Sequence, residues 1–348
     1  MDEAKLTEFL GKVVVDAGAA LGSALVYVGD RLGLWKALAD GPSTPEEVAK
    51  ATGTNARIVR EWLASQAAGG YVTYDPATGR FTLPEEHAAA LAVEDSPANV
   101  QGFFQIIASV GRDLDKIIEM FKTGNGLGWG DHHHDLFQGT ERFFRPGYQA
   151  NLVEAWIPAL EGVEEKLRDG ITVADVGAGH GISTILMAKA YPNSRFVGFD
   201  FHEPSVERAR KLAAEEGVAD RVTFEVARAQ DFPGTGYGLI AIFDALHDMG
   251  DPAGAVRHAR QALADDGTIL LVEPNAGDRL EENLNAVGRA FYSASTVICT
   301  PSSLNEDGPG LGAQAGAARL RLLFDDAGFR TFRLAAQTPF NMVLEAKP

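Results

Sequence analysis

The stretch Asp175-Val-Gly177-Ala178-Gly179-His-Gly181 sets an acid and three glycines at the end of an apolar run and just before a helix pattern over 182–191. Glycines in such a turn let the backbone bend tightly and let a ligand approach without meeting a Cβ. The helix start behind them offers backbone N–H groups and the positive end of a dipole. That is nucleotide or carboxylate chemistry. The spacing Gly-x-Gly-x-Gly departs from Gly-x-Gly-x-x-Gly, so the dinucleotide fingerprint fails at its third glycine. On this stretch alone, a purely structural strand-to-helix turn remains open. About 20 residues later a second apolar run, Arg195–Asp200, ends in an acid that a β-α-β unit sets beside the turn, where it can accept ribose hydroxyls. Gly177, Gly179 and Asp200 together read as an adenosine-ribose site.

These residues need a scaffold, and the chain supplies the pattern for one. From Ile171 onward strands and helices alternate. Strands are predicted at 171–176, 195–200, 222–226, 238–243 and 268–272, and helices at 182–191, 203–217 and 252–264. Alternation of this kind predicts an α/β doubly wound parallel sheet. Ligands of such sheets bind at the carboxyl ends of the strands. Two last strand-like segments, 331–335 and 340–346, follow close together.

With Asp175, the three glycines and Asp200 in place, the chain resembles the class I S-adenosylmethionine-dependent methyltransferases. Their first motif is D-x-G-x-G-x-G and their second strand ends in Asp or Glu. The resemblance implies a Rossmann-like seven-stranded sheet closed by a hairpin with one antiparallel strand. It implies S-adenosyl-L-methionine as cofactor and S-adenosyl-L-homocysteine as product. Asp175, Gly177, Ala178, Gly179, Gly181 and Asp200 are the implied cofactor residues. Ala229, Gln230 and Asp231 stand where the family reads the adenine edge, with Arg228 where many relatives carry an acid. Phe201 is placed to lie against adenine, and Asp244 ends the fourth strand within the same set. Arg145 and Tyr148 stand where a helix before the core often lends the cofactor a contact.

A sharper resemblance, spanning 30–348, is to the winged-helix small-molecule O-methyltransferases of plants and actinomycetes. Their His-Asp-Trp segment after strand four carries a general base, and an acid after strand five orients it. His247-Asp248-Met249 and Glu273 fall at those places, with Met in place of Trp. The roles make physical sense. A sulfonium methyl is already activated, so the main task is to align a nucleophile behind it. A phenol or alcohol must also lose a proton, which a neutral histidine can take near pH 7. A carboxylate on the other ring nitrogen fixes the tautomer and stabilises the imidazolium. A helix-cap role for His247 stays open, and transfer to nitrogen, sulfur or a carboxylate would need no base.

The N-terminal part is helical. A small-residue helix over 4–29 suits close packing against another helix, in a core or a dimer. Its apolar run Val13–Val28 contains Asp16 and reads as too short and interrupted to span a bilayer. Further helices are predicted at 31–39, 45–52 (Thr44 as cap, Pro45 first, Glu47 closing a capping box) and 56–68, the last with Ile58, Trp62 and Leu63 on one face. Tyr71–Tyr74 and Arg80–Leu83 flank a turn, which completes a winged helix. Residues 1–90 hold 8 Lys and Arg against 12 Asp and Glu, the opposite of a DNA-reading face. A dimerisation and lid module is the expected role, with a ligand-responsive transcription regulator as the alternative from another class.

A single helix is predicted over 97–122, then a glycine-rich loop that carries Trp129, then His132-His133-His134-Asp135. Adjacent side chains diverge, so no metal site is expected there; Trp129, His132 and His133 are candidate acceptor contacts. The predicted helix 149–160 follows. Residues 275–316 form an insertion expected to shape the acceptor pocket, with Phe291 and Tyr292 as further candidates.

Composition sets the outer limits. The chain has 348 residues and a formal charge of −17, which discourages non-specific DNA or membrane binding. Its one cysteine, Cys299, allows no internal disulfide, and the Met-Asp-Glu start is acidic where a signal peptide is basic. A cytoplasmic homodimer acting on a small molecule is expected. The domains are read as 1–95 (winged helix), 96–165 (helical linker and lid) and 166–348 (cofactor domain).

Overall fold

The computed structural model describes residues 1–348. The chain forms two compact units. One comprises 1–112 and 133–147, the other 113–132 and 148–348.

In the first unit a 29-residue helix, Glu3–Arg31, starts on an Asp2 cap whose carboxylate accepts from the Ala4 and Lys5 N–H groups. Only Val26, Tyr27 and Gly29 of this helix are buried. By length and composition it is long and apolar enough to cross a membrane, which corrects the shorter, interrupted run expected from sequence. The helix Pro45–Thr52 carries the expected capping box. In the helix Ala56–Ala68 Val59, Trp62 and Leu63 are buried, but Ile58 is 69 % exposed. Ile58 sits one residue before Val59, so it falls off the buried stripe. The wing pairs β1 (Thr73–Asp75) with β2 (Arg80–Thr82), Asp75 opposite Arg80. Both arginines of the helix Ala56–Ala68 are engaged by glutamates, Arg57 by Glu61 and Arg60 by Glu46. Arg142 binds Asp30 at 2.7 Å and Glu94 at 2.9 Å, which ties 133–147 to this unit.

The predicted helix 97–122 is two helices, Gln101–Arg112 and Leu114–Thr123. The break is Asp113, whose φ and ψ of −100° and 8° leave the helical range. Its carboxylate is buried and accepts from Lys116, three residues on, and from His132. The helix predicted to begin at Gln149 instead starts at Asp135, runs to Asn151 through Pro146, and continues as a π turn, Leu152–Trp156.

The second unit holds the sheet. Its strands are β3 (Thr172–Val176), β4 (Arg195–Asp200), β5 (Val222–Val226), β6 (Tyr237–Phe243), β7 (Leu263–Pro274), β8 (Thr331–Gln337) and β9 (Asn341–Lys347). Their order is β5-β4-β3-β6-β7-β9-β8. β9 is antiparallel to both neighbours and the rest are parallel. β6 is buried at every position, as expected of a central strand covered on both faces. β4, β3, β6 and β7 pair parallel in sequence across the sheet, so their carboxyl ends share one edge. The insertion folds as helices Ala286–Val297 and Cys299–Asn305.

Candidate active site

The glycine turn sits at the switch in strand order, between β3 and β6. Gly177, Gly179 and Gly181 have φ of 78°, 53° and 78°, a region that L side chains rarely occupy. A Cβ on Gly177 would come 2.8 Å from the Ala245 methyl, so the turn lies against the segment that leads to His247. A Cβ on Gly179 would meet nothing within 4 Å; the space above that residue is open. The Gly177 and Ala178 N–H groups donate to the Phe199 carbonyl, and that of Gly179 to Asp200. These three glycine-turn amides therefore hold the turn to β4.

Asp175 is fully buried. Its Oδ2 accepts from Ser183 and Thr184 at 2.7 and 2.6 Å, which pins the following helix to β3. Its Oδ1 has no partner. Burial pushes this carboxyl up to about 6 against the pull of the two hydroxyls. Asp200 accepts from the Gly179 N–H at 2.8 Å and the His202 N–H at 2.8 Å, one on each oxygen. Each oxygen keeps a second lone pair, enough for two further donors. Phe201 next to it is 46 % exposed, while Ala229 and Gln230 are half-buried and Asp231 is exposed.

Asp244 has a φ of 48°, rare for a residue with a side chain, and such strain concentrates at functional sites. It accepts from the Tyr148 hydroxyl at 2.9 Å and from Asn341 Nδ2 at 2.9 Å. Although its rim is partly exposed, its low-dielectric surroundings and then Glu273 push its carboxyl up to about 8. Asp248 is likewise raised by burial, to about 7.

His247 and Glu273 meet here. His247 Nδ1 lies 2.5 Å from Glu273 Oε2, and Glu273 Oε1 accepts from the Leu246 N–H at 3.0 Å. His247 is 4 % exposed and Glu273 1 %. The Glu273 carboxylate fixes Nδ1 as the protonated nitrogen. Burial lowers the basicity of this imidazole, but Glu273 and a hydrogen bond with Cys299 overcome it and hold the pKa well above the usual histidine value. The insertion helix that begins at Cys299 is anchored here by Ser303 Oγ, which donates to the Met249 carbonyl.

The strand ends thus gather five acids, Asp175, Asp200, Asp244, Asp248 and Glu273, with His247 among them and His180 and His202 near Asp200. What such a set lacks is positive charge. A ligand with an ammonium and a sulfonium fits it, and the open space at Gly179 and the unpaired Asp175 Oδ1 fit a ligand at the turn.

Residues 167–309 match the methyltransferase domain family, and residues 19–93 match the Rv2258c-like winged HTH domain. A curated relative, 27-O-demethylrifamycin SV methyltransferase of Amycolatopsis mediterranei, is 31 % identical over 190 residues, covering 52 % of this chain and 67 % of the relative. The chain belongs to the S-adenosylmethionine-dependent methyltransferases. The enzyme is also 24 % identical to the mitomycin biosynthesis 6-O-methyltransferase of Streptomyces lavendulae, over 88 % of this chain and 85 % of that one. Among solved structures, mitomycin 7-O-methyltransferase MmcR shares its fold with a TM-score of 0.71 at 20 % identity, with all of both chains covered. Human N-acetylserotonin methyltransferase in complex with SAM does so at 0.68 and 17 %, over 100 % of this chain and 98 % of that one.

The other candidates fall in different places. Trp129, in a 3-10 turn, is half-buried, as are Phe291 and Tyr292 on the helix Ala286–Val297. His132 is buried against Asp113 in the second unit. His133 belongs to the first unit, where Arg112 lies 3.0 Å from its Nδ1. Arg145 of that unit pairs with Glu141. His133, His134 and Asp135 bring ligand atoms within 4.8 Å of one another, but Asp135 already takes Arg112, Tyr27 and Gln105, and a guanidinium there opposes a cation. Cys299, Asn341, Ser183 and Thr184 escaped the sequence reading. Asn341 had one legible signal, a polar residue opening an otherwise apolar strand.

Proposed function

We propose that the enzyme methylates an oxygen of a small-molecule acceptor, with His247 as general base and Glu273 as the residue that orients it. The carrying observation is the buried His247–Glu273 pair beside the glycine turn. S-adenosylmethionine, when bound, supplies an electrophilic methyl group and leaves as S-adenosylhomocysteine. Asp200 and the turn at Gly177–Gly181 hold the adenosine, with Phe201, Ala229, Gln230 and Asp231 around the base. Asp175, Asp244 and Tyr148 face its charged end. His247 Nε2 takes the acceptor's hydroxyl proton as the oxygen attacks, and Glu273 stabilises the imidazolium that results. Phe291, Tyr292 and Trp129 line the acceptor's side. The relatives' names, on rifamycin and mitomycin compounds, support a small-molecule acceptor methylated at oxygen.

The test is transfer of tritiated methyl from labelled cofactor into a metabolite extract and a panel of phenols, with the product's linkage read by mass spectrometry. Methyl ethers are expected. Labelling of amines or thiols alone would reject oxygen as the nucleophile, and specific duplex binding without any transfer would favour a regulator.

We further propose a soluble cytoplasmic homodimer built through residues 1–95. The first helix leaves Phe9, Leu10, Val13, Val14 and Leu21 exposed, by 43–74 %, on one apolar face that a second copy would cover. Sedimentation should give twice the 37.1 kDa of one chain. A monomer at micromolar concentration would reject this.

A further inference from the structure

His132 has one ring nitrogen committed and the other not. Its side chain is 1 % exposed and that of Asp113 is 3 % exposed. Nδ1 lies 3.2 Å from Asp113 Oδ2, while Asp113 Oδ1 takes the Lys116 ammonium at 3.0 Å. Lys116 also donates to the Asp131 carbonyl, so carboxylate, ammonium and loop backbone form one clamp around the histidine. Burial pushes the His132 pKa down, against the pull of Asp113. The ring is therefore neutral, with its proton on Nδ1 toward the carboxylate. Nε2 is left as a lone pair, buried and without a hydrogen-bond partner. Buried polar atoms are nearly always paired, and the exceptions cluster where a ligand completes them.

The loop that carries His132 is tied to the strand-end site at two points. Leu127 N–H donates to the Pro301 carbonyl at 3.1 Å, and a Cβ on Gly126 would come 2.4 Å from the Asn305 nitrogen. Both partners lie on the helix Cys299–Asn305, whose first residue hydrogen-bonds His247. On the other side, a Cβ on Gly130 would lie 3.5 Å from His202, two residues past Asp200. The loop thus touches the flanks of both the base and the ribose acid.

We propose that His132 Nε2 accepts a hydrogen bond from a second O–H or N–H group of the methyl acceptor, so that the enzyme selects acceptors carrying a donor besides the hydroxyl it methylates. This rests on the oxygen-acceptor reading above. A neutral lone pair recognises a donor and rejects a carbonyl or carboxylate at the same place. A site built to hydrogen-bond a hydroxyl discriminates strongly against the analogue that lacks it. The cofactor also carries N–H and O–H groups, so the test separates the two sources.

The probes are 1,5-dihydroxynaphthalene and 1-naphthol, titrated calorimetrically into the S-adenosylhomocysteine complex of the wild type, His132→Phe and His132→Gln. The diol should bind about tenfold tighter than the naphthol to the wild type. That gap should vanish in His132→Phe and persist in part in His132→Gln, which keeps an acceptor oxygen. The nitrogen-15 signal of His132 Nε2 should move on adding the diol and stay put with S-adenosylhomocysteine alone. A gap unchanged in His132→Phe, or absent from the wild type, overturns the proposal. A shift caused by S-adenosylhomocysteine alone overturns it too, and assigns Nε2 to the cofactor. Binding and methylation of both phenols, indifferent to His132, would sink this proposal alone. If neither phenol binds or is methylated, the oxygen-acceptor reading fails and this one fails with it.

Discussion

His247→Ala is expected to lower methyl transfer to an oxygen acceptor by about 10²–10⁴, the usual range for a positioned general base. Affinity for S-adenosylhomocysteine should stay as in the wild type, because His247 bonds Glu273, Cys299 and the segment around it rather than the glycine turn. Transfer at wild-type rate in the variant would end the base mechanism. The pH profile gives a second readout. Burial alone would make this imidazole a weaker base, yet Glu273 and Cys299 leave its pKa well above the usual histidine value. Asp244 and Asp248, the other titratable groups facing it, add negative charge as they ionise. A raised pKa means that the protonated form persists at neutral pH and the base form fills as pH rises. The kcat/KM for the acceptor should therefore climb with rising pH above the usual histidine range, as the base form fills. A flat profile over that range would contradict it.

Asp200→Ala should weaken cofactor binding by about 1.5–3 kcal/mol, through lost charge-assisted hydrogen bonds. That is roughly 10- to 150-fold in the dissociation constant. The variant also loses the carboxylate that holds the Gly179 and His202 N–H groups. Asp200→Asn separates the two effects: it keeps an acceptor oxygen while removing the charge. A calorimetric constant for S-adenosylhomocysteine unchanged in both variants would reject the ribose assignment.

The sheet was legible because each strand of the second unit is a short apolar run bounded by turns, and the helices between them repeat regularly. β4 and β5 begin and end where the pattern says. The glycine turn and Asp200 were legible because both sit in one β-α-β unit, a local matter. What stayed hidden depends on distant partners. Asp113 breaks a helix that periodicity makes continuous, because His132 waits 19 positions ahead. Asn341 reaches Asp244 across 97 positions, through a hairpin that adds an antiparallel strand. Cys299 meets His247 only because the insertion folds back on the turn after β6, and nothing in its own neighbourhood announces that. Ile58 is a smaller and local miss: Trp62 and Leu63 are buried as expected, but the stripe continues through Val59 rather than Ile58.

The break at Asp113 also makes a module. Asp113 and His132 begin and end the excursion that belongs to the second unit, and they hold each other by a hydrogen bond. The segment 113–132 is therefore a closed cassette, fastened at its base and carrying Trp129 along its length. Closing a loop of this size at its ends costs little more if its interior lengthens, since the entropy grows only with the logarithm of length. Its exposed positions, such as Ile118 and Phe121, can be exchanged while the clamp stays as it is. Among enzymes of this architecture, such a cassette is a route by which acceptor preference can diverge without disturbing the methyl-donor machinery.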